Sequence, residues 1–128
     1  MSSLRPERGD VFHVKLRRGT GSEQHGDRWA VIVQANDLNM ALPTVIIVPT
    51  TGRTNRRNQP TNVFLPKGAG NLPEDSLAMT HQVRVLDKCE LDQFFGALPG
   101  DLLAQIDEAL RRTLGLKPQN SGQQPAGA

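Results

Sequence analysis

The sequence contains little cysteine and few aromatic residues. Its 128 residues include one cysteine, Cys89, which excludes an intramolecular disulfide and a cysteine-rich zinc site. Tyrosine is absent, and four phenylalanines with one tryptophan offer few flat rings on which the bases of a nucleic acid can stack. No apolar run resembles a signal peptide or a membrane-spanning helix, so we expect a cytoplasmic protein without a membrane partner.

Acidic residues are missing from residues 52–73, although the formal net charge of the whole chain is only +2. This segment contains Arg53, Arg56, Arg57 and Lys67. A local excess of positive charge favours a polyanion or an acidic partner, while a solvated loop is the simpler interpretation of the charges taken alone. The segment is therefore a candidate binding surface.

Apolar patterning predicts a chain built mainly of strands. Residues 11–16 alternate, which places Phe12, Val14 and Leu16 on the face that enters the core. Apolar runs bounded by turn residues predict buried strands at 29–33 and 44–48, and shorter strands at 62–65, 76–79 and 82–86.

Two other segments carry no strand pattern. Residues 34–39 are rich in turn formers and predict a connection between strands. Residues 87–95 predict a short helix or turn in which Leu91, Phe94 and Phe95 point inward.

The clearest single element is a helix near the end of the chain. Apolar residues recur at three- and four-residue spacing over 102–114, from Leu102 through Leu103 and Ile106 to Leu114. Pro99 and Asp101 suit the first turn of this helix, and Gly115 is placed to end it. Beyond it the residues are polar and rich in Gly, Pro and Gln, so we expect a single domain over 1–116 and a disordered tail over 117–128.

A polar loop at residues 21–28 is the strongest candidate for a functional site. It has a glycine near each end and leads directly into the buried strand at 29–33, so Arg28 stands at the rigid start of that strand. An arginine fixed in this way presents a planar fork of donors that matches a carboxylate or a phosphate. An ordinary hairpin loop with a solvated arginine is the more common explanation of such spacing.

A second candidate lies at the end of the strand over 44–48. Pro49 cannot donate to a sheet ladder, so the strand is expected to end, to lie at an edge or to bulge there. Thr50 and Thr51 are then left at its carboxyl end. Plain β-propensity is the simpler explanation of two adjacent threonines.

Four short segments stand in a distinctive order. They are Gly9-Asp10-Val11, then Gly21-Ser22-Glu23-Gln24 with Gly26 and Arg28, then Val48-Pro49-Thr50-Thr51, and finally His81-Gln82-Val83-Arg84 followed by Leu86-Asp87. Together they resemble the MazF/PemK family of bacterial toxin endoribonucleases, over residues 8–116. Trp29 stands where that family usually has proline.

The resemblance implies an α+β, mainly β fold: a small, strongly bent antiparallel sheet of SH3-like barrel type, CcdB/PemK-like, with a C-terminal helix. It implies a metal-independent endoribonuclease, an mRNA interferase without a cofactor, that cleaves single-stranded RNA at specific sequences. The 2′-hydroxyl attacks the adjacent phosphate and leaves a 2′,3′-cyclic phosphate and a 5′-hydroxyl. The implied partners are a second copy in a homodimer, an acidic and partly disordered antitoxin, and operator DNA only through that antitoxin.

The same resemblance suggests roles for individual residues. Arg28 and Thr51 match catalytic positions, where they would offer donors to an anionic phosphorane, and Glu23 would act as a base or orient Arg28. We predict substrate contacts from Ser22, Gln24, Asn36, Arg53, Arg56, Arg57 and Gln82.

Two other functional classes remain open on this fold. CcdB-like gyrase poisons share it and bind a protein without cutting RNA, so fold alone does not separate the two classes. A nucleic-acid-binding module without turnover is the other alternative. Arg28 beside Thr51 favours the nuclease, because a gyrase poison has no need of a phosphate-binding fork next to a hydroxyl.

Overall fold

The computed structural model of the protein describes residues 5–17 and 26–117. Ser22, Glu23 and Gln24 of the candidate loop lie outside the described residues, as does the predicted tail over 118–128. No helix of the described part is long and apolar enough to cross a membrane.

The described chain forms one antiparallel sheet and two helices. The strands are β1 (Asp10–Leu16), β2 (Gly26–Ile32), β3 (Thr44–Thr51), β4 (Asn62–Leu65), β5 (Ser76–Met79), β6 (Arg84–Asp87) and β7 (Leu91–Ala97). The helices are α1 (Asn36–Ala41) and α2 (Gly100–Leu114). The strand order is β4-β5-β3-β2-β1-β7, with β6 also pairing with β3. The predicted mainly β architecture with a C-terminal helix is confirmed.

Strand β3 is central and changes partner along its length. Its first half, from Thr44 to Ile47, pairs with β6, whereas Thr50 and Thr51 pair with β5. Pro49 lies between the two halves, where a residue without an N–H is tolerated because the ladder on that side is interrupted. The strand therefore continues through the proline, and Thr50 and Thr51 lie at its carboxyl end as predicted.

Apolar side chains fill both sides of the sheet. Val11, Val31 and Val48 belong to a cluster that α2 covers with Ile106 and Ala109. The opposite faces of the same strands build a second cluster, composed of Phe12, Val14, Leu16, Ala30, Ile32, Val45, Ile47, Leu86 and Leu91. The predicted core face of β1, with Phe12, Val14 and Leu16, is confirmed; on the other face Val11 is buried in the first cluster and Lys15 is exposed.

Helix α2 has the predicted bounds and a different buried face. Gly115 follows it with φ +72°, the left-handed conformation that glycine adopts without strain at a helix end. Ile106 is completely buried, Leu103 is only partly buried, and Leu114 is 57% exposed. The predicted apolar stripe was thus wrong at Leu114, and the core contact of the helix centres on Ile106.

Two connections differ from the prediction. Residues 36–41 form α1 instead of a turn, and residues 91–97 form β7, which pairs with β1, instead of a helix. A capping box between Asp87 and Glu90 closes only a single 3₁₀ turn before β7 begins. Phe94 is 51% exposed, so its predicted inward orientation was wrong.

Candidate functional site

Arg28 and Thr51 lie on neighbouring strands at the same end of the sheet. In the register of β2 and β3, Ala30 stands opposite Pro49, and the Thr50 hydroxyl donates to the Trp29 carbonyl at 2.9 Å. The ladder between β2 and β3 ends at the Ala30–Pro49 pair, and two further residues along each strand lead to Arg28 and Thr51. Both strands continue past this last pair, so Arg28 and Thr51 lie at the same end of two neighbouring strands, each two residues beyond the ladder.

The Thr51 hydroxyl is held by its own chain. The backbone N–H of Arg53 donates to Thr51 Oγ1 at 3.2 Å, and Thr51 itself is half-buried. A hydroxyl has one proton to donate and two lone pairs, so this contact leaves the Thr51 proton available to a ligand oxygen. Arg28 is half-buried too and is fixed in β2 opposite Val14 of β1. Arg28 thus offers positive charge and Thr51 offers a hydroxyl proton, each from a backbone position that the sheet holds in place.

Gln82 lies beside the same strand. It belongs to the 3₁₀ turn Thr80–Gln82, which precedes β6, so the predicted strand over 82–86 was wrong at its start. The register of β3 and β6 places Ile47 opposite Arg84, and the turn with Gln82 continues from there along β3 toward Pro49. Gln82 is therefore near the strand end that carries Thr51.

Asn36 lies at the other end of the sheet. It starts α1 after the last residue of β2, Ile32, which is about 13 Å along the strand from Arg28. Its Oδ1 accepts a hydrogen bond from the backbone N–H of Arg8 at 2.7 Å. The structure thus does not bring Asn36 together with Arg28 and Thr51, and its role as a substrate contact stays a prediction.

The basic segment after β3 is anchored at both ends. Arg53, Arg56 and Arg57 are all exposed, as expected of a binding loop. The segment begins at the Arg53 N–H bond to Thr51, and Asn62 Nδ2 of β4 donates to the Arg56 carbonyl at 3.1 Å. The basic segment therefore forms an anchored edge of the Arg28–Thr51 site.

Sequence reasoning missed two side chains near this edge. The Phe64 ring of β4 carries the Arg57 guanidinium at 3.8 Å from its centroid, although the sequence predicted few stacking surfaces. A Cβ added at Gly52 would lie 2.4 Å from Glu74 Oε2, so this carboxylate packs directly on the backbone next to Thr51. Neither contact has a local signal, because the partners are separated by 7 and 22 positions in the chain.

Among the carboxyl groups of the described residues, Asp10 has a shifted pKa; it lies at the end of β1 farthest from the β1–β2 connection. Burial raises the pKa of Asp10, and the negative charge of Glu7 adds to this rise, while the Glu7 backbone N–H opposes it. That N–H donates to Asp10 Oδ2 at 2.8 Å, which ties the chain before β1 to the sheet. Asp10 belongs to the scaffold, since it lies four residues along β1 from Val14, the partner of Arg28.

Comparison with known proteins identifies the family of this chain. A family model described as PemK-like, MazF-like toxin of type II toxin–antitoxin system matches residues 7–114. The chain belongs to this toxin family. The match spans every strand and both helices, so the Arg28–Thr51 site lies within the PemK/MazF-like domain.

Solved structures show the same fold. MazF from Deinococcus radiodurans superposes with a TM-score of 0.77 at 23% identity, covering 89% of this chain and 100% of that chain. An endoribonuclease from a Mycobacterial species gives a TM-score of 0.71 at 26% identity, covering 88% and 94% of the two chains. An endoribonuclease in complex with its cognate antitoxin, also Mycobacterial, gives 0.69 at 24%, covering 90% and 98%.

Proposed function

We propose that this PemK/MazF-family toxin is an endoribonuclease, an mRNA interferase that cleaves single-stranded RNA at specific sequences without a metal ion. The observation that carries the proposal is that Arg28 and Thr51 lie at the same end of the neighbouring strands β2 and β3. The similar Mycobacterial protein, 26% identical, is an endoribonuclease, which supports it.

The chemistry follows from the charge that develops on the phosphorus. Attack by the 2′-hydroxyl creates a phosphorane with additional negative charge on its equatorial oxygens, which fixed donors stabilise. Arg28 supplies a bidentate cationic fork and Thr51 supplies a hydroxyl proton. Proton transfer needs a further group, for which Glu23 is the predicted residue. The product ends are a 2′,3′-cyclic phosphate and a 5′-hydroxyl.

Cleavage should continue in excess EDTA. Among the described residues no three His, Cys, Asp or Glu side chains cluster closely enough to hold a metal ion, so Arg28 and Thr51 are proposed to provide the charge stabilisation. The measurement is RNA cleavage in the chelator, with the product ends identified by mass spectrometry and Arg28→Ala protein as the control for contaminating nuclease. A requirement for Mg²⁺, or a 3′-hydroxyl product, contradicts the mechanism; intact RNA under all conditions favours a gyrase-binding toxin or a non-catalytic module.

We further propose an acidic, partly disordered antitoxin as the inhibitory partner, with the toxin acting as a homodimer in the cytoplasm and meeting operator DNA only through that antitoxin. MazF from Deinococcus radiodurans and the Mycobacterial endoribonuclease are each seen with an antitoxin. The exposed Arg53, Arg56 and Arg57 give a physical reason, because they attract carboxylates as they attract phosphates. Light scattering at assay concentrations tests the homodimer.

A cognate antitoxin segment should compete with RNA. Charge attraction between exposed groups is screened over ~8 Å at physiological salt, so association of both ligands should slow as salt rises. Replacing Arg53, Arg56 and Arg57 together by serine should weaken both ligands without unfolding the domain, because the three side chains are exposed and, among the described residues, only the Arg57 contact with Phe64 is lost. Uninhibited cleavage at saturating antitoxin, or undiminished binding by the triple variant at low salt, contradicts a shared basic surface.

A further inference from the structure

We propose that Arg57, packed over the Phe64 ring, is a stacking subsite for one RNA base next to the cleaved phosphate. The proposal deepens the proposed function and rests on it. Arg57 makes the contact with the base, and Phe64 is the positioning residue beneath it.

The geometry of the pair suits a base. The Arg57 guanidinium carbon lies 3.8 Å from the Phe64 ring centroid, which is the distance of a cation packed on an aromatic face. One face of the planar guanidinium is covered in this way, and because Arg57 is exposed the other face is open to solvent. Guanidinium planes and aromatic rings are the surfaces on which splayed bases of single-stranded RNA stack.

The subsite lies in line with the proposed catalytic pair. Leu77 of β5 stands opposite Thr51 on one side and opposite Phe64 on the other, so the three residues form one row and share a face of the sheet. Strands are spaced about 4.8 Å apart, which separates Phe64 from Thr51 by about 10 Å. A base flanking the cleaved phosphate is therefore close enough to reach Arg57.

A groove at the free edge of β4 borders the stack, and its α2 wall lies on the side of the sheet opposite to Thr51. It encloses about 780 Å³, within the range of roughly 300–1,000 Å³ typical of small-ligand pockets, and lies between β4 and the second half of α2. Its polar lining includes Asn62, Gln105, Arg111 and Arg112. Asn62 Oδ1 is buried there without a hydrogen-bond partner among the described residues, and amide groups are suited to hydrogen-bond base edges.

The stack is preorganised by its backbone. The Arg56 carbonyl is held by Asn62 Nδ2 at 3.1 Å, and the Arg57 N–H donates to the Thr54 carbonyl at 3.3 Å. The Arg56 carbonyl and the Arg57 N–H belong to the same peptide bond, so these two hydrogen bonds fix the backbone that leads into the Arg57 side chain. A fixed cation with amides beside it offers a base both a stacking surface and hydrogen-bond partners for its edge, whereas a carboxylate would pair only with the edge of the guanidinium.

The test uses RNA in which the base is removed one position at a time. The cleavage site is first mapped with the parent protein, and a 2′-deoxy nucleotide at that site then keeps the RNA intact. Binding of this RNA is compared with copies that carry a single abasic nucleotide on either side of the site. Stacking contributes about 1–3 kcal/mol per base, so one flanking position should show a loss of roughly 5- to 150-fold in affinity.

The variants separate stacking from charge. Arg57→Lys keeps the charge but has no plane, so it should lose the abasic penalty at that one position, and Phe64→Leu should do the same while remaining folded by circular dichroism. Arg56→Ser is the matched control: it removes a neighbouring exposed arginine and should weaken every RNA of the set by a similar factor with the penalty intact.

Two results overturn the inference. One is the absence of any position-specific penalty in the parent, and the other is a full penalty retained by Arg57→Lys, which assigns the groove to a peptide if the same variant loses antitoxin binding. Failure of the parent to cleave RNA overturns the proposed function as well, so the two failures are distinguishable.

Discussion

Arg28→Ala and Thr51→Ala should each lower kcat/KM for RNA cleavage by ~100- to 1000-fold, the usual cost of removing one preorganised donor to a developing anionic charge. The expectation follows from their positions, since the two residues are half-buried at the same end of the neighbouring strands β2 and β3. Single-turnover cleavage of a mapped RNA oligonucleotide measures the effect, because it isolates the chemical step.

Conservative variants show which property matters. Thr51→Ser keeps the hydroxyl that accepts the Arg53 N–H, so it should retain most of the activity. Arg28→Lys keeps the charge but loses the bidentate fork, so it should remain strongly impaired. A decrease below about threefold for Thr51→Ala, with circular dichroism unchanged, contradicts a hydroxyl role in the reaction, since such a decrease is under 1 kcal/mol.

The parts of the fold that could be predicted from the sequence are those in which one local pattern decides the structure. β1 and α2 carry clear two-fold and 3.6-fold apolar periods, and both formed where expected. Helix α1 has no such period, because Asn36, Asp37 and Asn39 are poor helix formers. Its stability comes from buried side-chain bonds, in which Asn39 Nδ2 donates to the Gln34 carbonyl at 2.9 Å and Gln34 Nε2 donates to Asn39 Oδ1 at 2.8 Å.

The residues of the candidate site also divide into those that a local sequence pattern indicates and those that only the folded structure brings together. Arg28 and Thr51 each stand beside a strand signal, so the sequence could single them out, and the pairing of β2 with β3 brings them to the same end of the sheet. Arg57 and Phe64 meet only because the loop between them folds back, with Asn62 holding the Arg56 carbonyl. Such closure depends on tertiary contacts, and no periodicity of the sequence reports it.

The largest expected effect on stability belongs to Ile106→Ala, at about 2–5 kcal/mol in the free energy of unfolding. Ile106 is completely buried in the cluster of Val11, Val31 and Val48, so truncation leaves a cavity between α2 and the sheet. Leu103→Ala should cost less, because Leu103 is only partly buried, and Leu114→Ala should change stability by under about 0.5 kcal/mol because Leu114 is 57% exposed.

Urea unfolding at equilibrium measures these differences in the free energy of unfolding. RNA cleavage assays of the same samples show how each difference affects activity. Ile106 packs on the side of the sheet opposite to the face that Arg28 and Thr51 share, since Val31 and Val48 alternate with those two positions along β2 and β3. Its loss should therefore lower activity only by lowering the folded fraction, with kcat per folded molecule unchanged. An unfolding midpoint equal to that of the parent, or a larger loss for Leu103→Ala, would show that the core contact of α2 lies elsewhere.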